Sequence, residues 1–172
     1  MSPDESLRFA IGHGSAWLGL VLVAWTETGL CAILPGDEVP ALRADLARRF
    51  GGWACLPASA DARIGRVLAF LEAPAGVLDW PLDPRGTPFQ LAVWDALRRV
   101  PAGTTTTYGK LAGLLGMPSA ARAVARACAA NPLAGAIPCH RVIGRDGSLT
   151  GYRWGLERKA VLLARESRVN PG

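Results

Sequence analysis

The sequence predicts an α+β fold built in two parts, and three observations carry that reading. The first third holds short apolar runs of strand length, one of them alternating with period two. The second half holds helix starts with capping residues, followed by apolar stripes of helical period. Charge changes sign between the two. Up to Pro84 six Arg/Lys stand against ten Asp/Glu, a net −4; from Arg85 onward thirteen stand against four, a net +9. With 172 residues, half of them hydrophobic, the chain can bury the core of one ordinary domain or two small ones. The expected division is 1–84, an N-terminal scaffold with its linker, and 85–172.

Leu7, Phe9 and Ile11 alternate with polar or small residues and mark a first strand. Trp17–Trp25 and Leu30–Leu34 follow as two more, separated by Glu27-Thr28-Gly29, so the sheet is expected to be antiparallel. Helices are expected over Ala41–Phe50 and over Ala60–Leu71, the latter with Ile64, Val67, Leu68 and Leu71 on one stripe. Ala73–Pro84, with three prolines and a glycine, reads as the connection. Thr87-Pro88-Phe89-Gln90 then opens a helix with a capping threonine, proline in the first turn and glutamine at the third position. Its stripe is Phe89, Val93, Leu97 and Val100, and it ends before Pro101-Ala102-Gly103. Two short helices follow, Tyr108–Leu115 and Ser119–Ala130, joined by Gly116-Met117-Pro118, with Ser119 as the expected cap of the second. This is a helix-turn-helix pattern. Asp146-Gly147 signals a tight turn, Gly151–Gly155 an aromatic loop, and Leu156–Arg165 a last helix with Glu166 at its end.

Composition narrows the function classes. No apolar run approaches a membrane span, and the opening Met-Ser-Pro-Asp-Glu-Ser lacks the basic start and apolar core of a secretory signal, so a cytoplasmic protein is expected. The four cysteines, Cys31, Cys55, Cys128 and Cys139, form no CxxC pair, and the histidines are His13 and His140. Neither a structural zinc site nor disulfides are expected, and no cofactor. Cys31 and Cys128 read as small core residues. The basic half suits a polyanionic partner, although charge alone is equally compatible with a solvating surface. The helix from Ser119 to Ala130 strengthens the first reading. It is rich in alanine, and Arg122 and Arg126, four apart, share a face, so its backbone can approach a nucleic-acid groove while the arginines reach in.

The chemistry concentrates in Ile137-Pro138-Cys139-His140-Arg141-Val142. A free thiol with a pKa near 8.5 is only a few per cent thiolate at neutral pH, and a neighbouring histidine or arginine can raise that fraction. Cys139, His140 and a distant carboxylate such as Glu166 are the parts of an activated nucleophile, its base and the group that orients the base. Neighbours in an extended segment point to opposite faces, so Cys139 and His140 need a turn or a bridging water to communicate.

The stretch from Leu82-Asp83-Pro84-Arg85-Gly86-Thr87-Pro88-Phe89-Gln90, through Pro-Cys-His-Arg-Val, to Gly151-Tyr152-Arg153-Trp154-Gly155 resembles the O6-alkylguanine-DNA alkyltransferases, or methylated-DNA–protein-cysteine methyltransferases. It is most similar to the methyltransferase half of the bacterial adaptive-response protein. That protein also has a metal-binding regulatory half, so this chain either stands alone or was cut from something larger. The resemblance covers nearly the whole chain. It implies a ribonuclease H-like sheet-and-helix domain, then a helical domain carrying the helix-turn-helix and the acceptor cysteine.

The resemblance also implies roles. Cys139 would take the alkyl group from O6-alkylguanine, and from O4-methylthymine, in one displacement. His140 would deprotonate it through water, with Glu166 holding the imidazole, Tyr108 protonating the guanine ring and Asn131 bracing the turn. Carbonyls of Cys139 and Val142 would accept from the guanine amino group and the Arg153 amide would face O6, with Tyr152 and Trp154 completing the pocket. Arg122 would fill the gap left by the flipped base. Arg126, Ser119, Ala121 and Ala123 would lie against the minor groove of alkylated double-stranded DNA, bound by a monomer. Some members bind zinc in the N-terminal domain, and this sequence lacks the histidines for it. Trp154 stands where other members carry glycine, which predicts a narrowed site and poor reaction with bulky O6-benzyl adducts. Relatives that only flag lesions lack the acceptor cysteine present here. A transcription factor would need base-specific major-groove contacts, and a Cys-His hydrolase would have no use for the basic half.

Overall fold

The computed structural model describes residues 6–59 and 62–168. Strands β1 (Ser6–His13), β2 (Leu20–Trp25) and β3 (Leu30–Gly36) form an antiparallel meander, as the alternation predicts. Helix α1 (Val39–Arg49) begins two residues earlier than expected because Pro40, which needs no N–H partner in a first turn, opens it. Helix α1 then leads to β4 (Ala54–Pro57), which pairs parallel to β1, so the sheet is mixed with order β3-β2-β1-β4. The expected antiparallel sheet is corrected at this point. Four residues containing no apolar alternation, placed after Gly51-Gly52, carry no local strand signal, and only pairing with β1 makes them one. The predicted strand from Trp17 is also shortened. Residues 14–19 form a turn closed by Gly14 N–H donating to the Gly19 carbonyl at 2.8 Å, with Gly19 at φ +75°.

Helix α2 (Ala62–Glu72) covers the sheet with Ile64, Val67 and Leu71; the first two residues of its predicted span lie outside the described residues. The connection then returns along β3, where Leu30 N–H donates to the Pro81 carbonyl at 2.8 Å. Helix α3 (Pro88–Arg98) carries the predicted capping box. Gln90 N–H donates to Thr87 Oγ1 at 3.2 Å and Thr87 N–H to Gln90 Oε1 at 2.9 Å. Helices α4 (Tyr108–Leu114) and α5 (Ala121–Ala129) pack on α3, and the Trp94 indole N–H reaches the Ala127 carbonyl at 2.9 Å.

One expectation fails here. The N-cap of α5 is Ala120, with no side-chain cap, and Ser119 is an exposed turn residue before it. Met117 N–H already closes the turn onto the Ala112 carbonyl at 2.9 Å, which delays the start of the helix. Two-residue strands β5 (Thr106–Thr107) and β6 (Val142–Ile143) pair in parallel, and α6 (Leu156–Ser167) ends the chain's described part. Gly155 caps α6 at φ +98°, a backbone state that glycine adopts without cost.

A continuous cluster of buried side chains runs from Leu7 in β1 to Val142 and Trp154. Backbone bonds cross between the halves, with Ile33 N–H to the Pro132 carbonyl at 2.8 Å and Ala134 N–H to the Ile33 carbonyl at 3.1 Å. The sheet edge therefore holds the segment that leads into Cys139. Among the described residues no helix is long and apolar enough to cross a membrane, and no three His, Cys, Asp or Glu side chains group as metal ligands.

Candidate active site

Cys139–Arg141 is a single 3-10 turn, entered from Pro138 and left into β6. The turn replaces the extended backbone and divides its side chains in two directions, Cys139 to one side and His140 with Arg141 to the other. Pro138 fixes its own φ, and the Arg141 N–H closes on the Pro138 carbonyl at 3.0 Å.

Cys139 faces a cavity of about 310 Å³ lined by Tyr108 from α4, Ala125, Cys128 and Ala129 from α5, and Gly151, Tyr152 and Arg153 from the loop before α6. A volume of this order accepts one small planar group. Burial pushes the Cys139 thiol up to about 11, against a hydrogen bond from Asn131 and the charge of Lys159, which pull it down. The resting thiol is therefore protonated at neutral pH, and an activating base has to remove that proton during reaction. Asn131, fully buried, donates through Nδ2 to the Ile137 carbonyl at 2.8 Å and to Cys139 Sγ at 3.2 Å. Its Oδ1 accepts from Leu133 N–H at 2.9 Å. It ties the end of α5 to the turn.

His140 and Arg141 face the other way. His140 is fully buried, with Nε2 at 2.7 Å from Glu166 Oε1. Arg141 reaches the same carboxylate through Nε at 3.1 and 3.0 Å and through Nη2 at 2.7 Å, and donates through Nη1 to the Val100 carbonyl at 2.6 Å. A carboxylate in the last turn of α6 opposes the helix dipole, and Arg141 offsets it. Burial, the largest influence, pushes Glu166 up, but hydrogen bonds and charges from His140 and Arg141 outweigh it and hold the carboxyl below its usual range. Burial likewise lowers the imidazole against the pull of Glu166, so His140 rests neutral. With Glu166 ionised, Nε2 carries the ring proton and Nδ1, buried and without a protein partner, is the acceptor.

Two predicted pocket residues do not line the cavity. Val142 is fully buried in β6. Trp154 is turned inward and stands behind Tyr152, ring centroids 5.3 Å apart at 75°. Turning the indole inward removes its large apolar surface from water. Tyr108, half-buried, lines the cavity as expected, and burial keeps its phenol protonated by raising it further. Arg153 lines it too, but its side chain crosses to α1 and pairs with Asp45 at 2.8 Å. Arg122 and Arg126 are exposed on α5, with Ala121 and Ala123 half-buried on either side of Arg122.

Three residues of the site escaped the sequence reading. Arg141 reads as a helper of the thiol and is instead the clamp on Glu166. Cys128 reads as core and also lines the cavity. Lys159, which carries no assigned role in the predicted last helix, is fully buried, donating through Nζ to the carbonyls of Thr150 at 2.7 Å and Gly151 at 3.3 Å. A lysine three residues ahead of Leu162, on the buried face of α6, was the available signal.

Residues 88–168 match the family model described as the 6-O-methylguanine DNA methyltransferase, DNA binding domain. The regulatory protein Ada of Salmonella typhimurium is 49% identical over 168 residues, 96% of this chain and 47% of that protein, so the chain spans about half the length of this relative. The methylated-DNA–protein-cysteine methyltransferase of Mycolicibacterium paratuberculosis is 45% identical over 120 residues, covering 70% of this chain and 73% of that one. Among solved structures, Mycobacterium tuberculosis OGT in complex with DNA superposes with a TM-score of 0.75 at 34% identity, over 95% of this chain and 93% of that one. With the Pro-Cys-His-Arg-Val turn, the chain belongs to the methylated-DNA–protein-cysteine methyltransferase family.

Proposed function

We propose that this chain repairs alkylated DNA by direct reversal, moving the methyl group of O6-methylguanine, and that of O4-methylthymine, irreversibly onto Cys139. One observation carries the reading. A single cavity beside the arginine-bearing helix α5 is lined by the Cys139 thiol and the Tyr108 phenol, and the residue after the thiol is bonded to Glu166. The names and DNA complex of the relatives support it.

In this reading residues 1–84 form a ribonuclease H-like scaffold, and 85–172 act on DNA as a monomer in the cytoplasm. The pair α4–α5 works as a helix-turn-helix docked in the minor groove. Ala121 and Ala123 allow close approach, Ser119 and Arg126 contact the backbone, and Arg122 enters the stack. The damaged nucleotide swings into the cavity at a cost of a few kcal/mol, part of which Arg122 offsets by filling the gap. The carbonyl of Cys139 accepts from the guanine amino group and the Arg153 amide faces O6, with Tyr152 against the base.

The chemistry balances in four steps. The Cys139 proton passes through a bridging water to His140 Nδ1, and Glu166 stabilises the imidazolium through Nε2. The sulfur lone pair attacks the methyl carbon, forming C–S as the C–O6 bond breaks. The electron pair released into the guanine is met by the Tyr108 proton at the ring nitrogen. The tyrosinate then regains a proton from the imidazolium through solvent. The thioether offers water no acyl carbon to attack, so each molecule acts once.

Duplex DNA carrying one O6-methylguanine, incubated with the protein and followed by peptide mass mapping, tests this. One methyl equivalent on the Cys139 peptide is the expected result. Repeated turnover, or an unmodified Cys139 with the lesion removed, overturns it.

A further inference from the structure

Lys159 is a buried cation that the proposed transfer does not use. Its ammonium is fully enclosed, and among the described residues no carboxylate pairs with it; its bonds go to the carbonyls of Thr150 and Gly151. A buried lysine without a counter-ion is costly, and two carbonyl hydrogen bonds offset only part of that cost. Gly151 lines the cavity that holds Cys139, so Lys159 sits directly behind the wall facing the thiol.

The other charges near Cys139 are accounted for. Arg141 is neutralised by Glu166, and His140 rests neutral. Arg153 is paired with Asp45, and so is Arg49, the lesser cationic influence on the thiol. Tyr108, Tyr152 and Cys128 add no positive charge. The electrostatic coupling runs from Lys159 to both cavity thiols, Cys139 and Cys128.

From this placement we infer that Lys159 is a positioning residue with two tasks. Its hydrogen bonds hold the Thr150–Gly151 wall of the cavity, and its unpaired charge is the counter-charge that stabilises the Cys139 thiolate as it forms. The partnership has a direction in time: once Cys139 is a neutral thioether no thiolate can form beside the ammonium, so the support that each charge gives the other is lost. The inference rests on the alkyl-acceptor reading for its part in methyl transfer, and the two can fail separately.

The test is a peptide-resolved titration of Cys139 with iodoacetamide across pH, in the full chain and without DNA, on wild type, Lys159→Gln, Lys159→Met and Lys159→Arg. Gln keeps a donor without charge, Met keeps neither, and Arg keeps both. Loss of the charge is expected to raise the apparent thiol pKa by about one unit or more, a tenfold loss of reactivity at a fixed pH below it, with Arg restoring most of it. Superimposable pH profiles for wild type and Lys159→Gln overturn the inference, even if both neutral variants react with DNA more slowly. Should the variants not fold, the wild type decides. Nζ of Lys159, followed by nitrogen NMR, is expected to titrate at lower pH after Cys139 is S-methylated, and an unchanged titration overturns the inference. Wild type that titrates as expected yet takes no methyl from DNA defeats the proposed function and leaves the electrostatic role of Lys159 standing.

Discussion

The two sides of the Cys139–Arg141 turn differ in kind. On the closed side, His140, Arg141 and Glu166 are buried, and the carboxylate is held by four short contacts from the other two. On the open side, Cys139 shares a cavity with Tyr108 and Cys128, is touched by a single side-chain donor from Asn131, and borders a helix with exposed arginines. Three consecutive residues thus divide between a charge network that fixes geometry and a hollow that admits a reactant. The division teaches that orientation and reactivity are held by different contacts and should respond differently to change.

Glu166→Gln is the largest break. It strands the buried Arg141 guanidinium, which should cost about 3–5 kcal/mol in urea unfolding. Cys139→Ala on the open side should cost only about 1 kcal/mol while abolishing methyl transfer altogether. Equal losses of stability in the two variants would erase the distinction.

Trp154→Gly comes next. The sequence argues that this indole narrows the site directly, whereas the ring stands behind Tyr152 and outside the cavity lining. Its removal should cost about 3 kcal/mol as a core cavity and raise reaction with O6-benzylguanine about tenfold by letting Tyr152 retreat. Trp154→Phe, which keeps an aromatic edge on Tyr152, should leave the benzyl reaction nearly unchanged. A full gain in the Phe variant would restore the simpler picture of a bulky side chain at the mouth.

The sides should also separate by pH. His140 is held below its ordinary value of 6.5 and Glu166 below 4.5. As pH falls below 6.5 the unfolded chain takes up an imidazole proton that the folded chain refuses, and stability declines. Below 4.5 Glu166 adds to the decline until its own folded value is passed. Cys139, pushed up to about 11 from 9.0, acts at the other end. Between about 9 and 11 the folded thiol keeps a proton that the unfolded one has lost, so stability falls as pH rises. Chemical denaturation across pH should show both limbs, and S-methylation of Cys139 should weaken the alkaline limb without touching the acid one. Cys31 and Cys128, both raised to about 12, keep part of the alkaline limb in the methylated protein.

Legibility in the sequence follows the same boundary between local and non-local causes. The three-strand meander, the capping box at Thr87 and the paired arginines of α5 each rest on residues within one turn or strand, and each was readable. So was the reactive cysteine, because its neighbours in sequence carry the pattern. The parallel strand β4 was not, since its only reason to exist is β1, 48 positions earlier in register. Arg141 could be seen but not aimed, because its partner Glu166 lies 25 residues on. Lys159 shares the spacing of Leu162 on α6, but its partners, the carbonyls of Thr150 and Gly151, lie in the loop before the helix.

The smallest prediction concerns Ser119, on the open side. A serine ahead of an alanine-rich helix is a reasonable cap from sequence, and Ser→Ala at a true N-cap costs about 1 kcal/mol. Here the cap position belongs to Ala120, and the Val124 N–H reaches the Ala120 carbonyl at 2.9 Å, within the helix ladder. The Ser119 hydroxyl therefore caps none of the first N–H groups of α5. Ser119→Ala should change the unfolding free energy by less than about 0.5 kcal/mol, while Thr87→Ala, which breaks a complete capping box, should cost about 1 kcal/mol. If Ser119 also contacts the DNA backbone as proposed, the same variant weakens binding to unmodified duplex without altering stability. A stability loss matching that of Thr87→Ala would mean that α5 starts at Ser119 in solution, and would move the exposed start of the helix, and Arg122 with it, back by one residue.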